Sequence, residues 1–322
     1  MARQLDCFPQ LATVRGPRRM WRDGHTIAYR EIGNPCGRPV VVLHGGPGSG
    51  SRPGNAPWFD LTRWRIIFVD QRGAGISTPR GSTRHNNTAK LIGDLEALRR
   101  QLGIERWCVV GGSWGAALAL AYAGQHPEHV LGVVLRGLFL TSPREVRALF
   151  VTSRTRAPRE WRLLMAAAGA RRADRLLSRC AQCLQPGANA KQRRAVALAW
   201  YRYETAVLTG RSPRNERVSR PTLDLMRDKY RIQVHYLQRN CWLGQRHLLA
   251  WARRAGQAGV PIHAVHGWHD PVCPVNNVAR LERAVPSAVL DRVDAGHLAA
   301  TGPLAHGLAR AVHALSTDTS GT

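Results

Sequence analysis

Residues 107–129 read WCVVGGSWGAALALAYAGQHPEH. Trp107–Val110 is a short apolar run of strand character, and it passes straight into Gly111-Gly112-Ser113-Trp114-Gly115. A helix of small apolar residues follows and ends near His126-Pro127. A serine on so tight a strand-to-helix turn takes a strained backbone, and the residues two away on either side must lack side chains for the turn to close. The turn lifts the hydroxyl above the carboxyl edge of a sheet, at the positive end of the following helix. Glycine-rich turns are common, so it is the strand before and the helix after that give this GxSxG its meaning.

Working outward, His25–Glu31 predicts a strand, followed by the turn-rich Gly33–Pro39. Val40–Leu43 is suited to a strand buried on both faces, and HGGPGSG (His44–Gly50) interrupts it at once. Arg65–Val69 is the next such run and breaks into DQRGAG. Asn87–Leu102 has helical spacing, with Leu91, Leu95, Leu98 and Leu102 three or four apart. Leu131–Leu135 closes this series. Buried strands alternating with helices imply an α/β fold, a mostly parallel sheet covered on both sides. From about Ser142 to Ala255 Leu, Ala, Trp and Arg dominate with helical spacing, which reads as an all-helical insertion. The α/β texture then returns, with strands at Val260–Val265 and Ala288–Val293 and helices at Val278–Ala284 and about Pro303–Leu315. The expected organisation is therefore a core in two segments, 1–141 and 256–322, with 142–255 inserted as a helical cap. A length of 322 residues suits that arrangement.

An apolar fraction of 44% with 21% charged residues excludes wholesale disorder. No apolar run approaches a bilayer span, and MARQLDCFPQ has no apolar signal core, so a soluble, cytoplasmic protein without a membrane partner is expected. The net charge of +26 raises nucleic acid as a partner. However, only Lys90, Lys191 and Lys229 among the 47 basic residues are lysine, a skew that GC-rich codons alone produce. Residues 141–255 carry 25 Arg and Lys against 7 Asp and Glu, without a long basic run or a nucleic-acid motif, which reads as a solvated basic face. Seven cysteines, at 7, 36, 108, 180, 183, 241 and 273, make no disulfide framework. Cys180 and Cys183 read as neighbouring thiols on a helix. His263 and His266 would point to opposite faces of a strand, so no metal site is expected there, and no cofactor.

A serine hydroxyl needs a base, and the base an orienting acid. Asp270 follows the Val260–Val265 strand, and His297 follows Ala288–Val293 in Asp294-Ala295-Gly296-His297. Both leave the sheet at the same edge as Ser113. His266, His269 and Asp294 are the competing choices. An oxyanion hole is also required. Trp114 offers its amide at the helix start, and Gly46 in HGGPG is the expected second donor. His44 reads as shaping that loop, and DQRGAGIS (Asp70–Ser77) as structural, because Ser77 lacks elbow geometry.

HGGPG, DQRGAGIST, GGSWGAALALAYAGQHPEHV, LRGLFL, GWHD and DAGH together resemble the proline iminopeptidase (prolyl aminopeptidase) family of α/β-hydrolases. The resemblance is dense over about 20–140, thinner across the insertion and clear again over 260–300. It implies the same triad, Ser113, Asp270 and His297, and metal-free release of N-terminal proline from a peptide. The family binds the substrate's amino group with carboxylates from the cap, and Glu204 in WYRYET matches one of them. The second is expected in an R-I-E-N-H-Y-F stretch, but residues 231–237 read RIQVHYL, so Gln233 replaces the acid and Leu237 an aromatic. Phe139 and Cys273 match apolar residues of the family's proline pocket. Leu149 and Phe150 stand where a tyrosine-rich stretch is usual, and GWHD replaces GRYD around Asp270. The resemblance thus implies a small peptide or an amino-acid amide or ester as partner. The alternative is a relative acting as esterase or amidase on a non-peptide or non-proline substrate. The elbow serine excludes the aspartate-nucleophile branch of the fold, such as epoxide hydrolases and haloalkane dehalogenases.

Overall fold

The computed structural model describes residues 15–214 and 216–317. Cys7, the first ten residues and the end of the polar tail STDTSGT lie outside them. Eight strands form one sheet in the order β1-β2-β4-β3-β5-β6-β7-β8. These are β1 (Arg15–Arg22), β2 (His25–Gly33), β3 (Arg38–Leu43), β4 (Trp64–Asp70), β5 (Trp107–Gly112), β6 (Val130–Arg136), β7 (Ile262–Gly267) and β8 (Val289–Val293). β1–β2 and β2–β4 pair antiparallel, and every other neighbouring pair is parallel.

The central strands are valine-rich because both their faces are covered. Val41, Leu43 and Val109 pack with α1 (Thr88–Gln101) and α2 (Trp114–Gln125). Val40, Val42 and Val110 pack on the other side, with Leu304, Leu308 and Leu315 of α10 (Gly302–Thr317). Asn87 starts α1 by accepting the Lys90 amide at 3.0 Å, and Leu91, Leu95 and Leu98 form its buried stripe. α2 is buried on all sides from Trp114 to Gly124. Its outer face is closed by α8 (Gln245–Gln257), where Gly124 meets the Trp251 backbone.

Between β6 and β7 the described residues contain helices and no strand. They are α3 (Pro143–Phe150), α4 (Pro158–Ala168), α5 (Leu176–Cys183), α6 (Ala190–Thr209), α7 (Arg220–Leu237) and α8. α9 (Asn276–Ala284) completes the set between β7 and β8. Two features differ from the sequence expectation. β1 was not foreseen: RGPRRMWR is basic and contains a proline, and it is strand only as the exposed edge partner of β2. Cys36 is disulfide-bonded, whereas Cys108, Cys180, Cys183, Cys241 and Cys273 are free and buried. Among the described residues no helix is long and apolar enough to cross a membrane.

The turn after β4 is built as a polar knot. Arg72, fully buried, clamps both oxygens of Asp94 at 2.6 Å, reaches Asp23 at 2.9 Å and donates to the His85 carbonyl at 2.6 Å. Removing one member of such a buried pair strands the other charge. Arg72→Leu is therefore expected to cost about 3–5 kcal/mol in chemical denaturation, with part of the loss recovered in Arg72→Leu/Asp94→Leu.

Candidate active site

The elbow is held by backbone contact. Ser113 sits at φ 57°, ψ −119°, a conformation that costs a non-glycine residue energy unless its surroundings enforce it. Here they do: a Cβ on Gly111 would lie 2.1 Å from the Gly115 carbonyl oxygen, and one on Gly115 would lie 2.2 Å from that of Leu43. The two glycines of GxSxG thus let the turn close on itself and on the end of β3.

The loop leaving β3 is held in turn by the knot after β4. The Gln71 side-chain amide donates to the His44 carbonyl at 2.9 Å, and its backbone N–H donates to His44 Nε2 at 3.0 Å. With Nε2 accepting, Nδ1 carries the proton and meets the Gly45 carbonyl at 3.0 Å. Burial lowers the His44 pKa, in keeping with this neutral form. Trp114 Nε1 donates to Gln71 Oε1 at 2.8 Å, tying the residue after the serine to the same loop. Asp70 accepts from the Ser51 amide at 2.5 Å and the Ile76 amide at 2.8 Å, and the buried Ser77 hydroxyl bridges Ala28 and Asp70. His44 and DQRGAGIS are scaffold, as expected. The amides of Gly46 and Trp114 have no acceptor among the described residues, and Gly46 lines the cavity.

Asp270 and His297 come together from two loops. His297 Nδ1 lies 2.6 Å from Asp270 Oδ2, and Asp270 Oδ1 accepts the amides of Val272 and Cys273, each at 2.8 Å. The Asp270 side chain is 1% exposed. Burial pushes its pKa up, but the charge and hydrogen bond of His297 and the Cys273 amide outweigh it, so the carboxyl lies below its usual range. Arg136, at the end of β6, donates to the His297 carbonyl at 2.9 Å and so pins that loop. The competing residues are committed elsewhere. His266 is buried between the Leu138 amide (3.2 Å) and the Cys273 carbonyl (2.9 Å), and the exposed His269 pairs with exposed Asp294 at 3.1 Å.

Ser113, Gly46, His297, Phe139, Cys273, Glu204 and Gln233 all line one cavity of about 460 Å³. Phe139 and Cys273 are buried against it. Burial pushes the pKa of the Cys273 thiol well above the ordinary thiol range, so it stays an S–H group. Asp270, Cys273 and His297 bring donor atoms within 4.8 Å of one another, but a protonated thiol beside an engaged Asp–His pair is a poor cation site. Glu96, His126 and His129 form a similar group, with the Glu96 carboxylate taken by Arg99.

The remaining wall holds a residue that the sequence did not single out. Lys229 Nζ lies 2.5 Å from Glu204 Oε2, the Tyr230 hydroxyl donates to the same oxygen at 2.9 Å, and Gln233 Nε2 donates to Oε1 at 3.0 Å. Burial raises the Glu204 pKa, but the Lys229 ammonium and these hydrogen bonds overcome it and lower the value. Lys229 is placed by α7, whose backbone there meets the loop leaving β3 so closely that a Cβ on Gly48 (φ 87°) would lie 2.8 Å from the Lys229 carbonyl oxygen. Its spacing four residues before Gln233, one turn away on the same helix, was the available signal.

Comparison with known proteins agrees with this architecture. A model of the alpha/beta hydrolase fold matches residues 38–300. A probable proline iminopeptidase of Leptolyngbya boryana is 38% identical over 283 residues, 85% of each chain. The proline iminopeptidase of Neisseria gonorrhoeae is 35% identical over 295 residues, 89% of this chain and 92% of that one. A haloalkane dehalogenase loop variant from Bradyrhizobium elkanii superposes with a TM-score of 0.63 at 19% identity, covering 95% and 98% of the two chains, a likeness of fold alone.

The elbow contacts make a direct prediction. Gly111→Ala or Gly115→Ala forces a methyl into a carbonyl oxygen, so reaction of Ser113 with a fluorophosphonate probe should fall by about two orders of magnitude. Gly187→Ala, whose added methyl meets nothing within 4 Å, should label normally.

Proposed function

The chain belongs to the proline iminopeptidases, a family of α/β-hydrolases, and from that premise we propose that it releases N-terminal proline from short peptides through an acyl-enzyme on Ser113. The observation that carries the reading is a single cavity lined by a strained elbow serine, a histidine bonded to a buried aspartate, the unpartnered amide of Gly46 and a carboxylate on the helical wall.

In this mechanism the prolyl ring lies against Phe139 and Cys273, with its nitrogen toward Glu204 and Gln233. His297 Nε2 removes the Ser113 proton as Oγ attacks the scissile carbonyl. Asp270 holds the Nδ1–H tautomer and stabilises the imidazolium that forms. The carbonyl oxygen, now negative, moves onto the Gly46 and Trp114 amides, and the N-terminal end of α2 adds its dipole. His297 then gives its proton to the departing amine, and the peptide bond breaks. Water enters, loses a proton to His297 and attacks the acyl ester, and proline leaves with Ser113 restored. Arg136 positions the imidazole by its hold on the His297 carbonyl. Helices α3–α7 act as the cap, supplying Glu204 and Gln233 from α6 and α7.

The test is hydrolysis of proline β-naphthylamide beside a short-chain p-nitrophenyl ester. Ser113→Ala should lower kcat by about 10⁶, and Asp270→Asn by about 10⁴ through the wrong imidazole tautomer. Near wild-type amide turnover in Ser113→Ala would refute the assignment. Ester cleavage without amide cleavage would show a working triad whose pocket serves another acyl group.

A further inference from the structure

The wall of the cavity that faces the substrate's nitrogen already contains a cation. Glu204, Lys229 and Gln233 line the cavity together, and with Lys229 Nζ 2.5 Å from Glu204 their summed charge is zero. Lys229 is also fixed over the Tyr230 ring at 4.7 Å. Hydrogen-bond capacity points the same way. Three donors already occupy the Glu204 carboxylate, while Gln233 Oε1 is buried without a partner. The functions left over are one neutral acceptor, Gln233 Oε1, one lone pair of Glu204 Oε1, whose charge Lys229 already balances, and the remaining N–H bonds of the Lys229 ammonium.

A protonated proline brings a second ammonium to this place. It reaches Glu204 only by displacing Lys229 or by lying beside it, with two like charges in contact. A five-membered ring whose nitrogen is part of a lactam carries no charge, and it presents one N–H and one C=O side by side. That pair matches the free functions: the N–H to Gln233 Oε1, and the C=O to Lys229. The ring is the size of proline and meets the same Phe139 and Cys273 surface.

We propose that Lys229 is a specificity-determining residue, and that it adapts the site to hydrolyse 5-oxoprolyl amides as well as prolyl ones. The inference rests on the acyl-enzyme reading of Ser113, and the chemistry is unchanged. Ser113 Oγ bonds to the exocyclic carbonyl carbon, the amide C–N bond breaks, and the amine leaves with the proton from His297. Water then returns Ser113 and gives 5-oxoproline as its carboxylic acid.

Prolyl and 5-oxoprolyl β-naphthylamides would be assayed with wild type, Lys229→Met and Lys229→Arg, after fluorophosphonate labelling has established that each retains a reactive Ser113. Wild type is expected to cleave both. Lys229→Met should raise kcat/KM for the prolyl substrate and lower it for the 5-oxoprolyl one, moving their ratio by about 100-fold, the scale of one charge-assisted hydrogen bond lost and one like-charge contact relieved. Lys229→Arg, which keeps the charge, should stay much closer to wild type. Cleavage of the prolyl substrate alone by wild type, or a ratio unmoved in Lys229→Met, would overturn this inference and leave the peptidase reading standing. Failure of both substrates with Ser113 still reactive would overturn both.

Discussion

Everything at this site depends on the close approach of two backbones, Gly115 at the start of α2 and Leu43 at the end of β3. A side chain at position 115 would push the helix off the strand, and the loop leaving β3 would then lose its fixed distance from the serine. The strain in Ser113 persists because β5 and α2 are anchored at both ends. β5 lies between β3 and β6 in the sheet, and α2 is buried on every side. An elbow costs stability locally, and a densely packed core can carry that cost where a lone hairpin could not.

Around that contact the polar residues make one continuous support. Arg72 fixes the turn after β4, and Gln71 from that turn holds both His44 and the Trp114 indole. On the far side Arg136 holds the His297 loop, and Asp270 is fed by two amides of its own turn. The groups that would meet a substrate are thus positioned by residues that never touch it, which is how sub-ångström geometry is kept on loops.

The centre of the sheet was legible because its strands are buried on both faces and its turns are spelled in glycine. Ser113, Asp270 and His297 could be singled out for a related reason, since each follows a recognisable strand on one edge. β1 was not legible, because an exposed edge strand rich in arginine and containing a proline lacks the apolar alternation that marks a strand. The Lys229–Glu204 pair was hidden differently. Glu204 and Lys229 lie 25 positions apart on two helices, and nothing in either local pattern fixes how α6 and α7 are phased. Arg136 was hidden because one strand-end arginine among 47 basic residues carries no signal.

That pair also decides what kind of recognition the site can support. At about 4 Å and an effective dielectric near 20, a substrate ammonium and Glu204 would attract by roughly 4 kcal/mol, and Lys229 at a similar distance would repel it by nearly as much. With Gln233 in place of a second carboxylate, no further negative charge among the described residues lining the cavity tips the balance. Charge therefore contributes little to holding an N-terminal nitrogen here. In the proposed binding mode what remains is the fit of a five-membered ring against Phe139 and Cys273, at about 25 cal/mol for each Å² of apolar surface buried, and the direction of one or two hydrogen bonds. Such a site reads the shape of the ring and the donors and acceptors on its rim. The ionisation of the nitrogen, which a pair of carboxylates would read first, becomes secondary.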